Sequence, residues 1–127
     1  MGERVVIVED DADILCLLSE ALANEGFIPI PFHDATTALK EIVAQPPNVL
    51  VTDLAMSGMS GQQLIARVRE RLGEDVPILV ISASINARTV QTLSIQAFIN
   101  KPFDLGELLA QVTHWAHVPA GVRQPYS

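Results

Sequence analysis

The sequence predicts a doubly wound α/β fold, a five-stranded parallel sheet of order 2-1-3-4-5 between two layers of helices. Five short apolar runs alternate with segments of helical periodicity. Four of these runs lack polar alternation, which is typical of strands buried on both faces. The chain has 127 residues and 49% hydrophobic content, so we expect one compact domain with a substantial core.

The five predicted strands are, in chain order, RVVIV (4–8), FIPIPF (27–32), NVLVT (48–52), PILVIS (77–82) and AFIN (97–100). The second differs from the others because Pro29 and Pro31 lack the backbone N–H groups that an interior strand needs. We therefore expect it at an edge of the sheet. The order 2-1-3-4-5, with right-handed crossovers, places it there.

Helical patterns separate the strands, and local signals mark their ends. The first pattern ends at Gly26, where a left-handed cap costs little. The second begins after Asp34 and is closed by the pair at 46–47, both prolines. The third starts at Ser60 or Gly61. The apolar positions of these patterns are Ile14, Leu15, Leu18 and Leu22, then Leu39, Ile42 and Val43, then Leu64, Ile65, Val68 and Leu72.

The last two helical patterns differ in strength. The fourth, near 87–93, is rich in Thr and Val and poor in strong helix formers. The fifth has Asp104 at its cap with Glu107 three residues later, a capping-box arrangement, and continues with an apolar stripe to Trp115. The third pattern is expected to stop at Gly73.

Charge and cysteine content restrict the class of protein. A formal net charge of −7 and a pI near 4.7 argue against direct binding of nucleic acid or of an anionic membrane. The cluster Arg67, Arg69 and Arg71 is interleaved with acidic residues, so we expect a solvated helix face. Cys16 is the single cysteine and is expected in the core, which excludes an internal disulfide. With no membrane-length apolar run and no signal-peptide features, we expect a cytoplasmic protein.

Polar side chains from four strands converge at the carboxyl edge of the predicted sheet. Glu9 and Asp10 follow the first strand, Asp53 follows the third, Ser82 ends the fourth, and Lys101 follows the fifth. Two carboxylates about 4 Å apart repel by roughly 4 kcal/mol at an effective dielectric near 20, so one lysine does not balance three of them. A divalent cation is implied. Mg²⁺ fits best because it takes oxygen ligands and is completed by waters and phosphate oxygens.

Asp53 needs a role other than helix capping, since the Ser- and Gly-rich loop after it does not start a helix there. Carboxylates form aspartyl-phosphate intermediates, and phosphoryl transfer depends chiefly on positioning and charge neutralisation. Asp53 is therefore predicted to be a nucleophile, with Lys101 and Ser82 placed to bind phosphoryl oxygens.

Four motifs in order, VIVEDD, VTDLAMSGMSG, ILVISAS and FINKPF, resemble those of the receiver domains of bacterial two-component response regulators. The resemblance extends from Arg4 to about Trp115. It implies the CheY-like, flavodoxin-like form of the fold predicted above. It also implies that this chain is not a conventional enzyme, although it promotes its own aspartyl phosphorylation and slow dephosphorylation.

The resemblance also assigns roles to individual residues. Asp53 is the phosphoacceptor and a Mg²⁺ ligand, joined by Asp10, by the backbone carbonyl of Ala55, and by Glu9 through water. Phosphate binding and switching fall to Ser82, Ala83, Lys101 and the aromatic position Phe98. Ala55 and Ser84 flank the approach of the hydrolytic water. A cis peptide bond between Lys101 and Pro102 is a further implication.

Three departures from the family pattern lie on the side that usually carries the output. Ser57 replaces a common proline, Ile95-Gln96 stands where a Gly-Ala pair is frequent, and Phe98 occupies a position that is often tyrosine. The acceptor, metal and lysine positions are unaffected. We expect a chain that can be phosphorylated but has a non-standard signalling face.

The resemblance implies partners and a domain organisation. Residues 1–118 form the predicted receiver domain, and 119–127 a linker stub or disordered tail, since they carry Pro, Gly and polar residues without periodicity. The expected partner is a sensor histidine kinase or a phosphotransfer protein. An output domain or effector is expected at the face of the fourth helix, fifth strand and fifth helix. A stand-alone regulator, part of a longer regulator and the receiver of a hybrid kinase all remain open.

Three alternative functions share some of these features. A pseudo-receiver would keep the fold and act as an interaction module without phosphorylation. A haloacid-dehalogenase-like phosphatase would use the DAD motif at 11–13 as its nucleophile motif, but then Asp53 has no role and no second acidic pair follows Lys101. A flavodoxin-like cofactor binder is disfavoured because the loop after the first strand is acidic.

Overall fold

The sheet and helices follow the predicted alternation in a computed structural model of the chain, which describes residues 2–83 and 87–118. The elements are β1 Arg4–Val8, α1 Ala12–Asn24, β2 Ile28–Phe32, α2 Ala35–Ala44, β3 Val49–Asp53, α3 Gly61–Leu72, β4 Ile78–Ser82, α4 Ala87–Thr92, β5 Ala97–Asn100 and α5 Leu105–Ala116. The predicted tail, 119–127, lies outside the described residues.

The five strands form one parallel sheet in the order β2-β1-β3-β4-β5, which confirms the predicted topology. In the register of the central strands, Val8 lies beside Thr52, and Asp53 beside Ile81. Asp53 is thus the last paired residue of β3, one position beyond the predicted end of that strand. The carboxyl ends of β1, β3 and β4 meet at one edge of the sheet.

The prolines of β2 lie where they remove no ladder hydrogen bond. Ile28 N donates to Glu3 O at 2.9 Å, and Phe32 O accepts from Glu9 N at 3.1 Å. Because strand backbones alternate in direction, Pro29 and Pro31 turn their backbone groups away from β1 toward the open edge. The edge position predicted for this strand is confirmed.

Two hydrophobic cores cover the two faces of the sheet. Alternate residues of the buried strands point to opposite sides, so that Val5 and Ile7 join one core while Val6 and Val8 join the other. The first core lies beneath α1 and α5, and the second beneath α2, α3 and α4. The structure therefore has the three layers predicted from the apolar runs that lack polar alternation.

Local capping signals identified most helix ends correctly. The side chain of Asp34 accepts from Thr37 N, and that of Asp104 accepts from Gly106 N and Glu107 N. Ser60 caps α3 in a reciprocal capping box with Gln63. Gly73 ends α3 with a positive φ of 61°, a conformation that a glycine adopts without strain.

Two expectations about individual side chains were wrong. Cys16 is exposed, because it lies about 100° around α1 from the buried Leu15, and its thiol contacts Glu20 at 3.6 Å. Arg69 does not belong to a solvated face: its side chain is 11% exposed, whereas that of Arg67 is 59% exposed.

Within the described ranges, no helix is both long enough and apolar enough to cross a membrane.

Candidate functional site

Three carboxylates meet at the carboxyl edge of the sheet. Glu9 and Asp10 directly follow β1, and Asp53 ends the adjacent β3. One oxygen atom from each of the three lies within 4.8 Å of the others. Glu9 and Asp53 are only 1% and 5% exposed, whereas Asp10 is exposed to solvent. The adjacency of β1 and β3 in the sheet produces this cluster.

Lys101 joins two of these carboxylates. Its Nζ donates to Glu9 Oε2 and to Asp53 Oδ2, each at 2.8 Å. The lysine directly follows β5, its backbone N donates to Ser82 O at 2.9 Å, and its peptide bond to Pro102 is cis. The resemblance implied both the position of the lysine and the cis bond. The bridge connects residues that are 92 and 48 positions apart in the chain.

Backbone N–H groups hold the remaining carboxylate oxygens of the buried pair. Asp53 Oδ1 accepts from Leu54 N at 2.7 Å and from Ala55 N at 3.3 Å. Glu9 Oε1 accepts from Asp11 N at 3.1 Å. Each buried carboxylate is therefore oriented on both sides, by main-chain donors and by the ammonium group of Lys101.

The pKa values of Glu9 and Lys101 are both raised from their ordinary values. Burial raises the pKa of Glu9, the hydrogen bonds from Lys101 and Asp11 oppose that rise, and the charge of Asp53 adds to it. Burial alone would lower the pKa of Lys101, but its hydrogen bonds and charge interactions with Asp53 and Glu9 raise it above the ordinary value. In the described part of the site, one ammonium group faces three carboxylates.

The donor set at this edge fits a hard divalent cation. The converging groups are all carboxylate oxygens, with no histidine or cysteine among them. Mg²⁺ binds such oxygens and usually keeps several waters, for which the exposed side of Asp10 leaves access. The negative charge in excess of Lys101 is the second feature that favours a cation here.

The other predicted site residues lie around this cluster at differing depths. Ser82, at the end of β4, is 1% exposed, whereas Ala83 and Ala55 are exposed. Phe98 is half-buried on β5 and packs against the second core. Ser84 lies outside the described residues.

Gly61 is part of the site's framework, a role that sequence reasoning missed. Its N donates to Leu54 O at 2.9 Å, so the first residue of α3 lies directly on the backbone that follows Asp53. A Cβ atom at residue 61 would overlap the carbonyl oxygen of Asp53 and lie 2.6 Å from Leu54 Cα. A glycine at the first position of an otherwise good helix was the available signal.

Asp11 and Asp13, the acidic residues of the DAD motif, have places in α1. Asp11 is the N-cap, and its Oδ1 accepts from Asp13 N at 3.0 Å and from Ile14 N at 3.2 Å. Asp13 lies in the first helical turn, where a negative charge is favourable. The motif is thus explained by the start of a helix.

Comparison with known proteins decides the family. The family model described as the response regulator receiver domain matches residues 5–113. The chain belongs to this family. The phosphatase and cofactor-binder alternatives are therefore not supported. The acidic cluster of Glu9, Asp10 and Asp53 fits the phosphoacceptor site of a receiver domain.

Individual relatives show where such domains occur. The receiver domain is 36% identical over 115 residues to the sensor histidine kinase TmoS of Ectopseudomonas mendocina, a match covering 87% of this chain and 12% of TmoS. It is 34% identical over 116 residues to the response regulator MprA of Mycobacterium ulcerans (strain Agy99), covering 88% and 49%. This chain therefore spans at most about half the length of these two relatives.

The fold of the receiver domain also matches solved structures. The receiver domain of the sensor histidine kinase PA1611 from Pseudomonas aeruginosa PAO1 superposes with a TM-score of 0.84 at 20% identity, covering 93% of this chain and all of that one. That crystal structure has a magnesium ion coordinated in its active-site cleft. The likeness establishes the CheY-like arrangement of the five strands.

Proposed function

We propose that this receiver domain, residues 1–118, accepts a phosphoryl group on Asp53. The donor is a phosphohistidine of a sensor histidine kinase or phosphotransfer protein, or a small acyl phosphate. The observation that carries the proposal is the ammonium group of Lys101, held 2.8 Å from oxygens of both Asp53 and Glu9 at the edge where Asp10 also lies. A buried carboxylate fixed in this way is prepared for attack on phosphorus.

The chemical step needs little from the protein beyond positioning and charge. An oxygen of Asp53 forms a bond to phosphorus as the bond between phosphorus and the donor's imidazole nitrogen breaks. The electron pair of that bond stays with the nitrogen. The N–H groups of Leu54 and Ala55 orient the Asp53 carboxylate, and Lys101 is placed to neutralise a phosphoryl oxygen.

Mg²⁺ is the proposed cofactor. Its ligands would be the carboxylates of Asp10 and Asp53 and the carbonyl of Ala55, with Glu9 acting through water. When bound, Mg²⁺ neutralises charge on the phosphoryl oxygens. The all-oxygen donor set and its excess of negative charge support this assignment.

The proposed output of phosphorylation is a change in the face formed by α4, β5 and α5. Ser82 and Ala83 would bind the new phosphoryl oxygens, and Phe98 would fill the space that Ser82 leaves. Phosphorylation would then shift the equilibrium between two conformations of this face. Phe98 has no hydroxyl group to hold it in water and already packs against the second core, so the response should be smaller than with tyrosine.

The proposed partners and location follow from the family and the charge. Receiver domains work with sensor histidine kinases and output domains, and we propose such partners for this chain in the cytoplasm. The net charge of −7 supports a domain that does not itself bind nucleic acid or anionic membranes.

Intact-mass measurement after treatment with acetyl phosphate tests the proposal. The parent should gain one phosphoryl group in Mg²⁺ and none in EDTA, and Asp53→Asn should gain none. Asp13→Asn, which alters an exposed carboxylate of α1, serves as the matched control and should behave as the parent. An equal gain on Asp53→Asn contradicts the acceptor assignment. No gain on the parent would favour a phosphorylation-independent interaction module.

A further inference from the structure

The guanidinium group of Arg69 joins three segments at the amino edge of the sheet. Its Nε donates to Ser94 O at 2.8 Å, and its Nη1 donates to Gly73 O at 2.8 Å and Val76 O at 2.7 Å. Its Nη2 donates to Gln96 Oε1 at 2.9 Å. Arg69, on α3, thereby holds the loop that leads to β4 and the connection between α4 and β5, residues 93–96.

Gln96 completes this arrangement from the other side. Its backbone N donates to Ile78 O at 2.9 Å, and its Oε1 accepts from Ile78 N at 2.7 Å as well as from Arg69. The residue is 4% exposed, and its Nε2 has no hydrogen-bond partner among the described residues. Rotating the amide would place its NH₂ group against two donors, so the orientation is fixed.

A third contact strengthens the same connection. Ser94 Oγ donates to Glu74 Oε1 at 2.7 Å, while Glu74 Oε2 lies 3.6 Å from Arg69 Nε. Ile95, between Ser94 and Gln96, is fully buried in the second core. The α4–β5 connection is therefore held by backbone, side-chain and apolar contacts together.

The helix that precedes this connection is weakly held by comparison. α4 has six residues, and Val90 is the buried side chain among those described in it. A helix of this length is not stable by itself, and with little buried surface it opens readily. The C-terminal side of α4 continues directly into the fixed connection.

We propose that Arg69 and Gln96 form an anchor that fixes the α4–β5 connection and keeps the conformational response to phosphorylation from passing into residues 93–96. The proposal rests on the proposed function only for the source of the response, because the anchor itself is present without a phosphoryl group. α4 moves while the anchor holds the connection at its C-terminal end, residues 93–96, in place. Arg69 and Gln96 are positioning residues in this device.

Amide hydrogen exchange of the unphosphorylated protein tests the anchor. Arg69→Met should speed exchange at the amides of Ile78 and Gln96 about tenfold, the effect of losing roughly one hydrogen bond to a charged group. Val6, in the interior strand β1, reports global opening and should change less. The control Arg67→Met alters an exposed arginine of the same helix and should leave all three amides as in the parent. Equal acceleration at Val6, Ile78 and Gln96 would show global destabilisation and overturn the anchor.

Gln96→Glu provides an independent variant. The carboxylate keeps acceptors for Ile78 N and Arg69 and removes the unpaired N–H groups, so slow exchange at Ile78 should persist. Gln96→Leu removes the acceptor oxygen, so exchange at the Ile78 amide should become fast. Fast exchange in both variants would contradict the role of the Gln96 acceptor oxygen.

Beryllofluoride, a phosphoryl mimic, tests the confinement by NMR. In the parent, shifts should concentrate near Asp53 and fall off before 93–96, whereas in Arg69→Met they should extend into that connection. Identical shift patterns in the two proteins would refute confinement. The absence of any shift at Leu54 in the parent would instead count against the proposed function, and hydrogen exchange would still decide the anchor.

Discussion

Replacing Gly61 by alanine should damage both stability and the acceptor site. The new Cβ atom would overlap Asp53 O and lie 2.6 Å from Leu54 Cα, whereas ordinary contact begins at 3.4 Å. Both neighbours are backbone atoms of buried residues at and just after the end of β3, so no flexible side chain can move aside. α3 or the end of β3 must shift by at least about 0.8 Å to restore ordinary contact with Leu54 Cα, and by more to relieve the overlap with Asp53 O.

Two opposing effects set the size of the change. Alanine in place of glycine favours a helix by at most about 1 kcal/mol. Overpacking costs about 1–3 kcal/mol, and loss of the bond from Gly61 N to Leu54 O at 2.9 Å adds about 1 kcal/mol. The net expectation is a free energy of unfolding lower by about 2 kcal/mol. At about 4 °C per kcal/mol for a domain of this size, the melting temperature should fall by about 8 °C.

Urea and thermal unfolding measure the first effect, and the rate of phosphorylation by acetyl phosphate measures the second. Leu54 N holds Asp53 Oδ1, so displacing this backbone should slow the rate by one to two orders of magnitude, about what a 1 Å misplacement costs. The control is Gly106→Ala in the first turn of α5, where a Cβ would meet only Asp104 Oδ1 at 3.2 Å. Its stability should change by less than about 1 kcal/mol.

The reasoning would be refuted by a Gly61→Ala variant that unfolds at the parent's midpoint and is phosphorylated at the parent's rate. A loss of stability equal to that of Gly106→Ala would also refute it. Either result would mean that α3 does not approach the acceptor strand closely enough to require glycine.

Three further predictions concern lifetime, pH and thiol reactivity. Ala55→Asn should speed the loss of the phosphoryl group after the donor is removed, because the alanine side chain cannot orient a water; equal decay of parent and variant would dismiss this role. In EDTA, the pKa of Glu9 in the folded state is raised above its ordinary value of 4.5, so the folded state binds this proton more tightly than the unfolded state. The stability that the protonated Glu9 contributes should therefore decline as pH rises through the raised pKa. Urea unfolding across pH should show this decline in the parent relative to Glu9→Gln, and parallel profiles would contradict it. Glu20 raises the pKa of the Cys16 thiol, so Glu20→Gln should speed alkylation by iodoacetamide at pH 8, as followed by mass; an unchanged rate would exclude the effect.

The sequence could predict the features that depend on local chemistry or on simple periodicity. Pro29 and Pro31 determined an edge strand because each lacks a donor wherever it lies. Asp34, Ser60 and Asp104 identified helix starts because capping involves groups within three residues.

Some local expectations failed because burial depends on direction. The apolar stripe of α1 was identified, yet Cys16, beside it in sequence, points to solvent. Arg69 belongs to a charged run whose neighbour Arg67 is solvated, but α3 turns Arg69 toward the α4–β5 connection. A pattern of residue types does not show which of two helix positions one or two residues apart faces the core until the packing partner of the helix is known.

By itself the sequence determined the layers of the fold, the edge strand, the strand order and the edge at which the acidic residues and Lys101 gather. Only the tertiary structure decided that Lys101 bridges Glu9 and Asp53, that Gly61 leaves no space beside Asp53, and that Arg69 holds Gln96. These contacts join residues 8 to 92 positions apart. The distances between such residues depend on how helices settle on the sheet, and close packing fixes those positions only when all the side chains are in place.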